Sequence, residues 1–163
     1  MKIALLSDVH DRTDNLLTAL CMAEESGCEH LLYLGDIVEL STFTLMVEEW
    51  TKPMEVVFGN NEIERRTFYR IAEAHPHITH HGDEAAVVLG QRSIYFTHYP
   101  WAAMKAAESG KYDAVFYGHT HVADMQKIFH TLLVNPGEVG GVRRPPSFAV
   151  YDTEDNTVRL IRI

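Results

Sequence analysis

Apolar residues in this chain fall into short runs of three or four, and five of those runs lead directly into metal-binding chemistry. Ile3-Ala4-Leu5-Leu6 leads into Ser7-Asp8-Val9-His10, and Leu31-Leu32-Tyr33-Leu34 into Gly35-Asp36. Val56-Val57-Phe58 leads into Gly59-Asn60-Asn61, and Ile94-Tyr95-Phe96 into Thr97-His98. Ala114-Val115-Phe116-Tyr117 leads into Gly118-His119-Thr120-His121. Runs this short and this apolar predict buried strands. The pattern predicts strands at Lys2 to Ser7, Leu31 to Leu34, Met54 to Phe58, Ala85 to Leu89, Arg92 to Thr97 and Ala114 to Tyr117. Closing strands follow at Met125 to Phe129, Leu132 to Val134, Ser147 to Tyr151 and Thr157 to Ile163. Helical spacing places Leu16, Leu17, Leu20 and Cys21 on one face of a first helix capped by Thr13 or Asp14. Further helices are expected at Thr42 to Trp50, at Ile63 to Ala74 with Phe68, Ile71 and Ala72 inward, and at Trp101 to Ser109. His75-Pro76 ends the third and Gly110 the fourth. An alternating α/β first part with an antiparallel tail predicts two mixed β-sheets facing each other, with helices outside.

Composition narrows the class without naming a function. The 163 residues, 46% apolar, suffice for a single domain over 1–163 with a real core. No apolar stretch reaches the ~20 residues of a membrane span. Met1-Lys2-Ile3 opens straight into the first strand, so a cytoplasmic location is expected. With 23 acidic and 14 basic residues the net charge is −9, which disfavours long nucleic acid as a partner. One small phosphate at a metal site escapes that objection, because bound cations invert the local charge. Cys21 and Cys28 are too few for a disulfide framework and are expected as buried reduced thiols.

The residues just past the strands carry the chemistry. In open α/β sheets, ligands bind at strand carboxyl ends. Asp8-x-His10 offers two donors on one side of an extended chain. Asp36 has two oxygens and so is able to bridge two ions. The Asn60 carbonyl oxygen suits a hard cation, and Glu62 either supports a ligand histidine from behind or favours a helix N-terminus. His98 gains weight from this company. His119 and His121, two residues apart after an apolar strand, form the sharpest signal, and a bend there would send their rings to neighbouring ions. Together two carboxylates, four imidazoles and an amide call for divalent metal. His30 and His130 lack this context, and His75, His77, His80 and His81 read as a solvated turn and edge.

The order Asp-x-His, Gly-Asp, Gly-Asn, His, Gly-His-x-His resembles the calcineurin-like metallophosphoesterase superfamily, and within it the small single-domain bacterial and archaeal phosphodiesterases. Lys111-Tyr112-Asp113 ahead of the last motif and Asn135-Pro136-Gly137-Glu138 after it extend the likeness over nearly the whole chain. The resemblance implies a four-layer αββα sandwich with a two-metal centre. Asp8, His10 and His121 would hold one ion, and Asn60, His98 and His119 the other, with Asp36 between them. Mn²⁺ is the first expected ion, with Ni²⁺, Fe, Co²⁺ and Zn²⁺ as alternatives. The implied activity is hydrolysis of small phosphodiesters through a metal-bridging hydroxide. Small relatives often form homo-oligomers.

Two positions depart from the family pattern. The wider superfamily usually places a histidine directly after the metal-binding asparagine, whereas this chain has Asn61, expected as a neutral phosphate contact. Without that general acid, diesters should be hydrolysed better than monoesters. His98 is followed by Tyr99-Pro100-Trp101 where the family has glycine, which predicts an aromatic wall beside the second ion. The chief alternative is a scaffold of the same fold, non-catalytic or weakly so, that binds a protein partner, as one retromer subunit does. A mononuclear zinc hydrolase built on His119 and His121 ranks third, because it leaves Asp8, His10, Asn60 and His98 unexplained.

Overall fold

The computed structural model describes residues 1–163. The chain runs through β1 (Lys2–Leu6), α1 (Thr13–Glu25), β2 (His30–Tyr33), α2 (Leu40–Glu49), β3 (Met54–Val56), α3 (Arg65–Glu73) and β4 (Ile78–His80). It continues through β5 (Glu84–Leu89), β6 (Arg92–Thr97), α4 (Pro100–Glu108), β7 (Ala114–Phe116), β8 (Asp124–Ile128), β9 (Thr131–Asn135), β10 (Ser147–Asp152) and β11 (Thr157–Arg162). One sheet has the order β11-β10-β1-β2-β3-β4, and the other β5-β6-β7-β9-β8. Strands β1 to β4 run parallel, as do β6, β7 and β9, while β10 and β11 pair antiparallel on one side of the first sheet and β5 and β8 antiparallel at the two edges of the second. Both sheets are therefore mixed.

Three hydrophobic clusters account for the four layers. Strand alternation divides β1 between two of them. Ala4 and Leu6 join the larger cluster with residues of α1, α2 and α3, while Ile3 and Leu5 join the second cluster between the sheets. β2 divides likewise, with Leu31 and Tyr33 toward the helices and Leu32 toward the other sheet. A strand buried on both faces has no polar position to spare, which explains why these runs are continuously apolar. On the far side, Ala103 and Ala107 of α4 pack on Tyr95, Val115 and Leu133. The layers run α, β, β, α. No helix is long and apolar enough to cross a membrane.

Several sequence expectations are corrected here. Helix α1 has Arg12 at its N-cap with no side-chain cap bond, so neither Thr13 nor Asp14 caps it. Its inward face is Leu16, Ala19, Leu20 and Ala23, and Leu17 and Cys21 face out. Ile63 precedes α3 and is 90% exposed. The histidine-rich segment is a turn around residues 74–77 and then edge strand β4, as expected, but it is not simply solvated: His80 packs its ring on Phe58 at 3.9 Å and on Tyr69 at 4.7 Å. His81 bonds Glu55 at 2.6 Å, and His30 approaches the same carboxylate at 3.3 Å.

Candidate metal centre

The parallel strands deliver the seven sequence-selected donors to one place. Asp8 and His10 follow β1, Asp36 follows β2, Asn60 follows β3, His98 follows β6, and His119 and His121 follow β7. Convergence does not come from strand alternation, as Asp8-x-His10 suggested. Asp8, His10, Asp36, His119 and His121 all have left-handed backbone, with φ of 55°, 44°, 63°, 70° and 62°. Such residues each cost on the order of 1–3 kcal/mol and persist where surrounding structure enforces them, commonly at functional sites. Two glycines permit the tight approach. A Cβ on Gly59 would strike Asp36 Oδ1 and come 2.6 Å from the Asp36 backbone nitrogen, and one on Gly118 would strike Ser7 Oγ.

Asp8, His10 and His121 form one half of the site. Asp8 is fully buried; its Oδ2 accepts bonds from Ser7 Oγ at 2.6 Å and the His119 backbone N–H at 3.0 Å. Its Oδ1 faces His121 Nε2 at 3.4 Å and His10 Nε2 at 3.8 Å. The two imidazoles stack with Nε2 atoms 3.3 Å apart. Behind His121 stands Glu138, fully buried, 2.8 Å from Nδ1. Glu138 also accepts backbone N–H bonds from Val142, Arg143 and Arg144. One carboxylate thus fixes both the imidazole and the loop that follows it.

The other half gathers Asp36, Asn60, His98 and His119. Asn60 Oδ1 lies 2.8 Å from His119 Nδ1 and 3.2 Å from His98 Nε2. His98 Nδ1 is 2.8 Å from the Leu34 carbonyl oxygen. Asp36 Oδ1 accepts the backbone N–H groups of Asn60 and Asn61 at 2.8 and 3.0 Å. Its Oδ2 lies 3.5 Å from His98 Nε2 and 3.7 Å from His10 Nε2, so it faces both halves. Asn61 turns its side-chain amide onto the same oxygen at 2.7 Å rather than outward.

These residues fit divalent cations on chemical grounds. Asp8 Oδ1 is buried and has no hydrogen-bond donor, a costly state for a carboxylate oxygen. The Leu34 carbonyl and the Glu138 carboxylate only accept, so Nδ1 of His98 and of His121 carries the proton. Each neutral ring then presents its Nε2 lone pair to the site. Burial by itself would lower His98, but Asp36 and Asp8 outweigh it and raise its pKa. Burial and the neighbouring His98 lower that of the half-exposed His119. Groups of three donors able to hold an ion are Asp8, His10 and His121, and Asp8, Asp36 and His98.

Two supporting residues have roles that the sequence did not give. Glu62 backs no histidine. It accepts the backbone N–H groups of Ile37 and Gly59 at 2.6 and 2.7 Å, tying the loop after β2 to that after β3. Glu138 was visible only as part of a family-like segment, because nothing local pairs it with a histidine 17 residues earlier. Glu138→Gln is expected to weaken metal retention about 10–100-fold, the usual cost of losing such a partner. Dialysis against graded chelator, followed by metal analysis, checks this; retention equal to wild type would reduce Glu138 to a loop anchor.

The fold and the clustered donors define a metallohydrolase-like α/β sandwich with its site at strand carboxyl ends. The calcineurin-like phosphoesterase superfamily domain matches residues 1–156, and the chain belongs to that superfamily. It is 29% identical to phosphodiesterase MJ0936 of Methanocaldococcus jannaschii over 167 aligned positions, covering 99% of this chain and 98% of the relative. The solved structure of an archaeal phosphodiesterase superposes with a TM-score of 0.92 at 28% identity, with both chains covered completely. Vps29 of Entamoeba histolytica, solved in complex with Zn²⁺, shares the fold at a TM-score of 0.66 and 16% identity, over 100% of this chain and 98% of that one.

Proposed function

We propose that the chain acts as one domain over residues 1–163 and is a dinuclear-metal phosphodiesterase of small phosphodiesters. The observation that carries this reading is the position of Asp36 Oδ2, which faces His10 on one side and His98 on the other. Asp8, His10 and His121 would hold one ion, Asn60, His98 and His119 the second, and Asp36 both. Mn²⁺ is the expected activating ion, with Ni²⁺, Fe, Co²⁺ or Zn²⁺ as substitutes. When bound, such a pair of ions supplies a water of lowered pKa and positive charge for the phosphoryl oxygens.

The chain's own residues do the positioning. Leu34 and Glu138 accept from Nδ1 of His98 and His121, which fixes the ring orientations and leaves each Nε2 toward the site. Ser7 and the His119 backbone leave one Asp8 oxygen free toward the site. Asn61 orients Asp36 and, on rotating its amide, donates to a phosphoryl oxygen of the substrate. No imidazole follows Asn60 to protonate a leaving group, so substrates with good leaving groups are favoured.

The test is a metal-supplemented assay on matched aryl diesters and monoesters, with metal counted per chain. The expected result is two ions per chain and diester turnover that exceeds monoester turnover on the same aryl leaving group. Equal or reversed rates would sink the diesterase preference, and no turnover with any of these ions would sink the enzyme. The 64% exposure of Trp101 favours a second reading, a metal-binding scaffold for a protein partner. That reading predicts bound metal without turnover.

A further inference from the structure

The segment after His98 departs from ordinary surface construction. Trp101 keeps its indole 64% exposed, while the chain's other tryptophan, Trp50, is fully buried. Trp101 is nevertheless held in place. It lies 4.7 Å from the Tyr99 ring at an interplanar angle of 26°, a stacked pair. It also meets His119 edge-to-face, with ring centres 6.1 Å apart. Tyr99 contacts both ligand imidazoles, at 5.3 Å from His98 and 5.9 Å from His119. Its hydroxyl donates to the Gly59 carbonyl at 3.4 Å, beside Asn60. Pro100, at the start of α4, fixes the backbone between the two rings.

We propose that Tyr99 and Trp101 form a stacking platform for a planar aromatic ring carried by the substrate phosphodiester, either a nucleobase or an aryl group. This rests on the phosphodiesterase reading above. Three features single out a ring. Tyr99 covers one face of the Trp101 indole, and the exposed remainder of that indole is a face on which a ring can stack. The platform abuts His119, so a ring lying on it sits within one phosphate's reach of the metal donors. Stacking is also indifferent to the chain's net negative charge, which would repel an additional anionic group. A protein partner seated on the same rings would cover His119 and close the site.

The test uses the full metal-loaded chain and three diesters that share a 4-nitrophenolate leaving group: the thymidine 5′-, phenyl and methyl esters. Trp101→Ala is expected to lower kcat/KM for the ring-bearing esters about 5–100-fold more than for the methyl ester. Trp101→Phe should recover most of that selectivity. Loss confined to the thymidine ester assigns the platform to nucleobases, and loss confined to the phenyl ester assigns it to small aryl groups. No loss on any ester overturns the platform and is the pattern expected of a surface reserved for a protein; equal loss on all three, which share the nitrophenyl ring, overturns a platform for the ring that the phosphate keeps. Binding gives an independent readout. Thymidine 5′-monophosphate should quench tryptophan fluorescence saturably, inorganic phosphate should not, and Trp101→Phe should abolish the effect. If wild-type protein turns over none of the esters, the phosphodiesterase reading fails, while the quenching experiment still decides the platform.

Discussion

Asp36→Asn is expected to remove turnover while preserving the fold, with kcat/KM falling at least about a thousandfold, ~4 kcal/mol of transition-state stabilisation. Asp36 is nearly fully buried. Burial would raise its carboxyl pKa, but His98 and Asn61 outweigh burial and hold it far below the usual carboxylate range. It is therefore an anion at any working pH. An asparagine keeps one oxygen for the Asn60 and Asn61 backbone N–H groups, so the loop after β3 stays satisfied. The new amide nitrogen, however, meets the Asn61 amide and the His98 and His10 nitrogens, replacing an acceptor shared by both halves with a donor. Asp36→Ala is a poorer test, because it strands those two backbone donors at about 1–3 kcal/mol each and so mixes folding with chemistry. Circular dichroism, metal content and steady-state kinetics on the same preparation check the expectation. A variant that binds two ions and works within tenfold of wild type would remove Asp36 from the centre.

The architecture was legible where chemistry and periodicity coincided. Runs such as Ile3 to Leu6 and Ala114 to Tyr117 are apolar throughout because both faces of their strands are covered, and each donor follows such a run. Recurrence at five strand ends was stronger than any single motif. What stayed hidden depends on partners distant in sequence. Glu138 meets His121 only because β9 lies beside β7, a neighbour relation that periodicity does not encode. Four histidines at positions 75–81 read as a solvated turn and edge, which hides the burial of His80 against aromatic rings. Histidine is polar on average, yet its ring packs like an aromatic when the charge is absent. The left-handed backbone at five donors was also invisible, since Asp and His tolerate that conformation without requiring it.

The same misread histidine makes the second large expectation, a steep loss of stability in acid. His80 Nδ1 accepts the Gly82 backbone N–H at 3.2 Å, while Nε2 is buried without a partner. Protonation would need Nδ1 to give up that bond, and it would place charge among Phe43, Phe58 and Tyr69. Burial, reinforced by His81 and Arg65, pushes its pKa down to about 3. The unfolded chain binds this proton near pH 6.5. Between those values the unfolded state holds more protons, so stability rises with pH. The His80 contribution is complete above pH 6.5 and is lost progressively down to about 3. Glu55 acts in the same direction at lower pH. Burial raises it, but bonds from His30 and His81 prevail and lower it to about 2, so its contribution is complete only above 4.5. His80→Phe should cost about 1–3 kcal/mol at pH 7, where the Gly82 N–H loses its acceptor. Between pH 7 and pH 4 the stability difference should shift in favour of the variant by on the order of 3 kcal/mol. Urea denaturation of chelator-treated protein at both pH values measures the difference. Both proteins share every other titratable group, so those contributions cancel, and parallel pH profiles would show that His80 titrates normally in the folded chain.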